Sequence, residues 1–179
     1  MSTNVAADLS SSKINNAMVT NMLCGWKCCH TITLANNSIG DEAIRQLCQS
    51  FYSMAKPLLS QLSLAYNCLT DTSACELATL ITTCSSMDAL DVEGNMLSVD
   101  GIRTLAKASS RSKISALHLS HNTGDPKRLE GSMWVPAFVS GRLKTLEIAQ
   151  HFPEAAQVRR CGQATVIRPA AKSHSIPSC

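Results

Sequence analysis

A short pattern of apolar and polar positions recurs along the chain. Two aliphatic residues stand two positions apart, and an asparagine follows the second one after two intervening residues. The four copies are Ile32, Leu34 and Asn37; Leu62, Leu64 and Asn67; Leu90, Val92 and Asn95; and Leu117, Leu119 and Asn122. Because alternate residues of a strand face opposite sides, each aliphatic pair predicts a short strand with one buried face.

The spacing of the asparagines predicts a stacked repeat. They are separated by 30, 28 and 27 residues, and intervals of about 20–50 residues are typical of solenoid proteins. A fifth aliphatic pair, Leu146 and Ile148, follows at a similar interval, with His151 at the asparagine position. We therefore expect about five parallel strands.

The segment after each asparagine predicts a helix, because apolar or small residues recur there at helical intervals. These residues are Ala43, Ile44 and Leu47; Ala74, Leu77, Ala78 and Ile81; and Gly101, Ile102, Leu105 and Ala106. Before the first copy, Ile14, Met18, Val19 and Met22 have the same spacing and predict a helix over the end of the stack.

This unit of a strand and a helix resembles the leucine-rich repeat family, and its length of about 28 residues is similar to that of the ribonuclease-inhibitor-like subtype. The resemblance covers roughly residues 27 to 151. It implies an α/β fold, a right-handed solenoid shaped as a short horseshoe. Parallel strands would line its concave face and helices its convex face.

The recurring asparagine has a physical role in such a stack. After the second aliphatic residue the chain turns away from its strand, so the backbone groups there lose their strand partners. An amide side chain offers an acceptor and two donors to those groups. We therefore expect Asn37, Asn67, Asn95 and Asn122 to form a buried ladder.

The repeats divide the chain into three parts. We expect residues 1–26 to be an N-terminal helical cap or half-repeat, and residues 27–152 to be the leucine-rich repeat domain. Pro126, Gly131, Pro136 and Gly141 make the fourth repeat irregular, since proline breaks a helix. For residues 153–179 we expect a short capping helix from Pro153 and a mobile basic tail.

Composition favours a globular protein inside the cell. Hydrophobic residues make up 45% of the chain and charged residues 16%, which is enough for a sizeable core. The N-terminus lacks the pattern of a secretory signal, and no apolar run is long enough for a membrane helix. We therefore expect a cytoplasmic location, with the cytoskeleton or a cilium or flagellum as narrower alternatives, and reduced thiols among the nine cysteines.

The distribution of charge along the chain argues against a nucleic-acid partner. Residues 1–152 hold 12 Lys and Arg against 12 Asp and Glu, so the net charge of +3 comes from the tail. Binding to nucleic acid normally needs several clustered phosphate contacts, and no basic run precedes the tail. We predict neither nucleic acid nor a membrane as partner.

One cluster contains zinc-ligand residue types: Cys24, Cys28, Cys29 and His30. Cys29, however, lies three residues before Ile32, at a core position that apolar residues occupy in the other repeats. Free cysteine behaves as a small buried hydrophobe, and no second pair follows at a zinc-site spacing. We therefore expect core packing, no metal and no cofactor.

The concave face offers a candidate binding surface, because the resemblance implies that such a face holds partner proteins. Outward strand positions and the loops beside them carry Tyr66, Asp91, Glu93, His118, His121 and Glu147. Tyr66 is a suitable aromatic anchor, and the carboxylates favour a basic patch on the partner.

We therefore predict a non-enzymatic protein-protein interaction module, a scaffold that binds a partner on its concave face. One alternative is a structural component of a cytoskeletal or axonemal assembly, with the basic tail on an acidic polymer. Another is GTPase activation, since the resemblance extends to leucine-rich Ran GTPase-activating proteins. Ser38, Cys68, Met96 and Thr123 follow the asparagines, so no arginine stands at these loop positions.

Overall fold

The computed structural model describes residues 5–123 and the strand segments 145–147, 157–161 and 164–168. The strands are β1 (Ala6–Asp8), β2 (Thr31–Thr33), β3 (Gln61–Ser63), β4 (Ala89–Asp91), β5 (Ala116–His118), β6 (Thr145–Glu147), β7 (Gln157–Cys161) and β8 (Ala164–Arg168). The helices are α1 (Asn16–Trp26), α2 (Asp41–Tyr52), α3 (Asp71–Thr83) and α4 (Val99–Ser109). A strand therefore alternates with a helix from β1 to β5.

Strands β1 to β6 pair in parallel, in the order in which they occur in the sequence. Ile32 is the register partner of Leu62, and Leu62 is the partner of Leu90. The first aliphatic residues of successive repeats are thus aligned across the sheet. The predicted fold class, an α/β solenoid of leucine-rich-repeat type, is confirmed.

The core lies between this sheet and the helices. The aliphatic pairs of the four repeats with strands β2 to β5 are buried, as is the residue two positions after each of the first three asparagines: Ile39, Leu69 and Leu97. Helix α2 buries Ile44, Leu47 and Phe51 against them. Full burial of one such side chain stabilises the fold by about 1.5–3 kcal/mol. Since helices are wider than strands, the sheet lines the concave side.

The four asparagines join the repeats where the strands end. The Asn67 amide nitrogen donates to the Leu34 and Leu64 carbonyls at 2.9 and 3.0 Å, and its oxygen accepts from the Ile39 N–H at 3.1 Å. Asn95 donates to the same Leu64 carbonyl at 3.0 Å. Each such carbonyl therefore links two successive amides. The series continues through Asn37 and Asn122.

A second set of bonds at the helix N-termini was not predicted. Asp41 accepts from the Thr70 N–H at 2.9 Å and from the hydroxyls of Thr70 and Ser73 in the next repeat. Asp71 accepts from the Ser98 N–H at 2.8 Å in the same way. Burial alone would raise the pKa of Asp41, but the hydrogen bonds from Ser73 and Thr70 outweigh it and lower that pKa.

Two expectations at the ends of the chain need correction. The N-terminal part contains a strand as well as a helix, because β1 pairs in parallel with β2. Met18 is 37% exposed rather than packed in the core, while Ile14 is buried just before α1. The segment therefore has the order of a repeat, with Ser12 at the asparagine position.

The second correction concerns the segment after Pro153. Residues 157–161 form β7, an antiparallel partner of β8, instead of continuing a capping helix. Val158, Val166 and Ile167 are β-branched and favour strands, and Gly162 stands between the two strands. Residues 164–168, which were expected to belong to a mobile tail, form β8 and pair with β6 and β7. The irregular part of the fourth repeat and the last residues of the tail lie outside the described residues. The domain limits remain a prediction.

Candidate functional site

The sheet face opposite the helices carries the residues predicted to bind a partner. Thr33, Ser63, Asp91 and His118 lie between buried aliphatics on four neighbouring strands and are partly exposed. His118 is the register partner of both Asp91 and Glu147. Adjacent strands lie about 4.8 Å apart, so a histidine position stands between two acidic positions.

The residue before each ladder position adopts a left-handed backbone conformation. The φ angles are positive at Ser11, Asn36, Tyr66, Gly94 and His121, between 54° and 66°. Glycine and asparagine adopt this conformation readily, whereas other residues have an energetic cost of about 1–2 kcal/mol. Tyr66 and His121 therefore place bulky side chains at positions where the backbone favours small ones.

The ring of Tyr66 lies over Gly94 of the next repeat. A Cβ added to Gly94 would overlap the Tyr66 ring atoms, so only glycine leaves room for this close approach. The Tyr66 hydroxyl donates to Glu93 Oε1 at 2.7 Å, while 51% of the residue stays exposed. This hydrogen bond and the Glu93 and Asp91 charges raise the pKa of Tyr66.

Glu93 connects Tyr66 to a histidine on its other side. His121 Nε2 lies 3.6 Å from Glu93 Oε1, and both side chains are about three-quarters buried, at 27% and 24% exposure. Tyr66, Glu93 and His121 therefore form a row across three successive repeats. This row joins three of the six predicted site residues.

Asp91 lies beside this row and forms a hydrogen-bonded pair with Ser63. The Ser63 hydroxyl donates to Asp91 Oδ2 at 2.8 Å, and the Glu93 N–H donates to Asp91 Oδ1 at 3.1 Å. Each carboxylate oxygen accepts up to two hydrogen bonds, so the charge remains available to a partner. The backbone of Glu147 pairs with His118, and its side chain lies outside the described residues.

The cysteine cluster divides into buried and exposed thiols. Cys29 is buried, and desolvation is the first cause that raises its pKa, followed by the neighbouring Cys28. Cys24 and Cys28 are exposed, as are Cys68 and Cys75. Among the described residues, no group of three or more His, Cys, Asp or Glu side chains is arranged to hold a metal ion.

Two other features of the described residues bear on binding. None of the helices α1 to α4 has the length and apolar character that a membrane crossing requires. The residues after the asparagines, Ser38, Cys68, Met96 and Thr123, are all exposed at the edge of the sheet face.

Comparison with known proteins identifies the fold. No protein-family model matches the chain, and no curated protein matches it. Among solved structures, leiomodin-1 actin-binding site 2 superimposes with a TM-score of 0.60 at 12% sequence identity. The match covers 77% of this chain and 83% of the leiomodin chain. Such a likeness at low identity shows a leucine-rich-repeat-like fold.

The sequence did not reveal how the site residues are connected. Tyr66 and Glu93 occupy different positions of the repeat, so an alignment of the repeats with one another does not place them side by side. The left-handed backbone at Tyr66 turns the side chain towards the next repeat, where Gly94 leaves space for it. The sequence did contain one signal for this contact, because Gly94 directly follows the acidic residue Glu93.

Proposed function

We propose that this chain is a non-enzymatic protein-binding module, of the ribonuclease-inhibitor-like subtype, which holds a partner on its concave sheet face. The binding surface comprises Tyr66, Asp91, Glu93, His118, His121 and Glu147. The observation that carries the proposal is the position of Tyr66, which is half exposed and fixed over Gly94 by its bond to Glu93.

The energetics of Tyr66 support a binding role. A folded chain that needed only a tight bend would be more stable with glycine or asparagine at φ +54°. A bulky aromatic residue held in this conformation costs stability, and such strain is often found at functional sites. Because the ring is already ordered, little side-chain entropy is lost when a partner covers it.

The charges on the face indicate the chemistry of the partner. Asp91 and Glu93 are separated by one residue, and the register of the sheet places His118 beside Asp91. A complementary surface therefore carries lysine or arginine against the carboxylates and an apolar side chain against the Tyr66 ring.

The test compares two double variants as baits in quantitative pull-downs. Tyr66→Ala with Asp91→Lys changes the sheet face, whereas Tyr52→Ala with Asp100→Lys makes the same substitutions on the helix side. Both proteins must first melt like the unaltered chain. Partners specific to the unaltered bait should be lost with the first variant and kept with the second; equal recovery with both would reject the sheet face.

A cytoskeletal role is the second candidate. The structure that this fold matches is an actin-binding site of leiomodin-1, and the tail carries Arg159, Arg160, Arg168 and Lys172. We infer that an acidic polymer would be the partner, with a cytoplasmic or cytoskeletal location. Co-sedimentation with actin filaments and with microtubules tests this, using the full chain and a chain without residues 153–179. Absence from both pellets would exclude it.

GTPase activation remains the least favoured alternative. The four exposed residues that follow the asparagines supply no guanidinium to a transferring phosphoryl group. Addition of the purified protein to a Ran-type GTPase should leave GTP turnover unchanged. An acceleration of hydrolysis would contradict the non-enzymatic proposal.

A further inference from the structure

The topology brings basic residues that are far apart in the sequence to one edge of the solenoid. All strands from β1 to β5 are parallel, so every loop that leads from a helix to the next strand lies on the same side. This side carries five exposed cations, which we name the basic edge: Lys27, Lys56, Lys107, Arg111 and Lys113. No contiguous basic run in the sequence indicates this edge, because its five residues come from separate loops and helix ends.

The opposite edge has the reverse charge. The helix N-termini there carry Asp41, Glu42, Asp71 and Asp100. Arg45 and Arg103 stand among these acids and form ion pairs with Glu42 and Asp100. In the described part of the chain, by contrast, no ion pair involves a residue of the basic edge. The two edges of the described body therefore differ in charge: cations outnumber acids on the basic edge, whereas acids slightly outnumber cations on the opposite edge.

Helix stabilisation accounts for only part of the basic edge. Cations near a helix C-terminus interact favourably with the helix dipole, but the effect is confined to the last turn. Lys107 lies in the last turn of α4, and Lys27 caps α1. Lys56, Arg111 and Lys113 lie beyond the helix ends, in loops. No side-chain hydrogen bond or ion pair of these three residues occurs among the described residues.

The basic edge also carries one exposed apolar side chain and one acidic side chain among its cations. Leu58 is 44% exposed in the same loop as Lys56. Asp88 is exposed in the α3–β4 loop, between the loop of Lys56 and that of Lys113, where the Ser115 hydroxyl donates to its carboxylate. A uniformly anionic surface would meet a like charge at Asp88. A polypeptide can place a cation there and an apolar side chain against Leu58.

We propose that the basic edge is a second interaction surface, which binds an acidic polypeptide segment containing an apolar residue and a single central cation. This surface is separate from the sheet face, and either can exist without the other. Its electrostatic attraction accelerates association and weakens as salt is added.

The probe is a short fluorescein-labelled peptide of Asp and Glu with one central Leu and one central Lys. Its binding to the protein is measured by fluorescence anisotropy. Lys56→Gln with Lys113→Gln should weaken binding by about threefold to tenfold. The matched control, Lys13→Gln with Arg45→Gln, removes two cations from the opposite edge and should leave affinity unchanged. A second peptide without its Lys should bind less tightly to the unaltered chain, and Asp88→Asn should abolish this difference.

Three outcomes would overturn the proposal. They are no measurable peptide binding at low salt, an equal loss with the control pair, and tighter binding of phosphatidylserine vesicles or duplex DNA through the same lysines. The Tyr66→Ala, Asp91→Lys protein should bind the acidic peptide normally. Failure of the basic edge is therefore distinguishable from failure of the sheet-face proposal.

Discussion

The Tyr66 hydroxyl donates a 2.7 Å hydrogen bond to the Glu93 carboxylate across the boundary between two repeats. This bond fixes an exposed aromatic ring on the sheet face, and Gly94 provides the space beneath it. It also joins the fold to the proposed binding surface, because a partner bound there would meet a ring that the neighbouring repeat already holds in place.

The ionisation of Tyr66 reports this arrangement directly. Its pKa is raised, first by the bond to Glu93. In a Tyr52→Phe background, Tyr66 is the remaining tyrosine, and its absorbance titration should lie above that of free tyrosine. Gly94→Ala displaces the ring and Glu93→Gln removes the charge, so either substitution should lower the pKa towards the ordinary value of about 10. Gly25→Ala should leave it unaltered; a similar fall there would contradict the local origin.

The asparagine ladder can be tested at one position. Asn67→Ala leaves the buried Ile39 N–H without its acceptor, whereas the Leu34 and Leu64 carbonyls keep the amides of Asn37 and Asn95. We expect the free energy of unfolding to fall by about 1–3 kcal/mol, measured by urea denaturation.

Hydrogen exchange gives that test its internal control. The Ile39 amide should lose protection in the Asn67→Ala protein, while the Leu97 amide, which donates to Asn122, should keep it. Asn21→Ala, an exposed substitution on α1, should change stability by less than about 0.5 kcal/mol. Equal destabilisation by the two substitutions would show that the ladder has no special role.

Two helix glycines should respond oppositely to alanine. A Cβ at Gly101 would overlap Asp71 Oδ1, which accepts from the Ser98 N–H at the start of α4. Gly101→Ala should therefore destabilise the chain by about 1–3 kcal/mol. A Cβ at Gly25 meets nothing within 4 Å, and Gly25→Ala should stabilise by up to about 1 kcal/mol. Thermal melts of both variants provide the comparison, and a stabilising Gly101→Ala would refute the proposed contact.

Alkaline pH should weaken the fold through Cys48. Burial, followed by the charge of Glu76, raises the pKa of this thiol to about 12, against about 8.5 in an unfolded chain. Between these values the unfolded state binds fewer protons, so stability falls as pH rises, by about 1 kcal/mol per pH unit. Urea denaturation between about pH 8 and pH 10 should show a shallower decline for Cys48→Ala than for the unaltered protein. Identical slopes would exclude Cys48 as the source.

Much of the fold was predictable because the asparagine interval fixes the register of neighbouring strands. Leu62 and Leu90 are partners in the sheet, as their positions in the repeat require. Strand β1 was missed because Ala7 replaces the first aliphatic and Ser12 replaces the asparagine. The repeat geometry there is imposed by pairing with β2 rather than by local sequence.

The candidate site was less predictable for a different reason. Sequence alignment shows which residues occupy equivalent positions, and it indicated the sheet face. It does not show contacts between unlike positions, such as Tyr66 and Glu93. Nor does it show that Lys56 and Lys113, far apart in sequence, share one edge, because that follows from the parallel connection of strands through helices.

The most direct test of the sheet-face proposal is site-specific photocrosslinking. p-Benzoylphenylalanine at position 66 places the reactive group on the sheet face, and the same group at position 52 places it on helix α2, where the other tyrosine is also exposed. We predict a covalent adduct with the partner protein at position 66 and none at position 52. An adduct confined to position 52, or equal at both, would contradict binding through the sheet face.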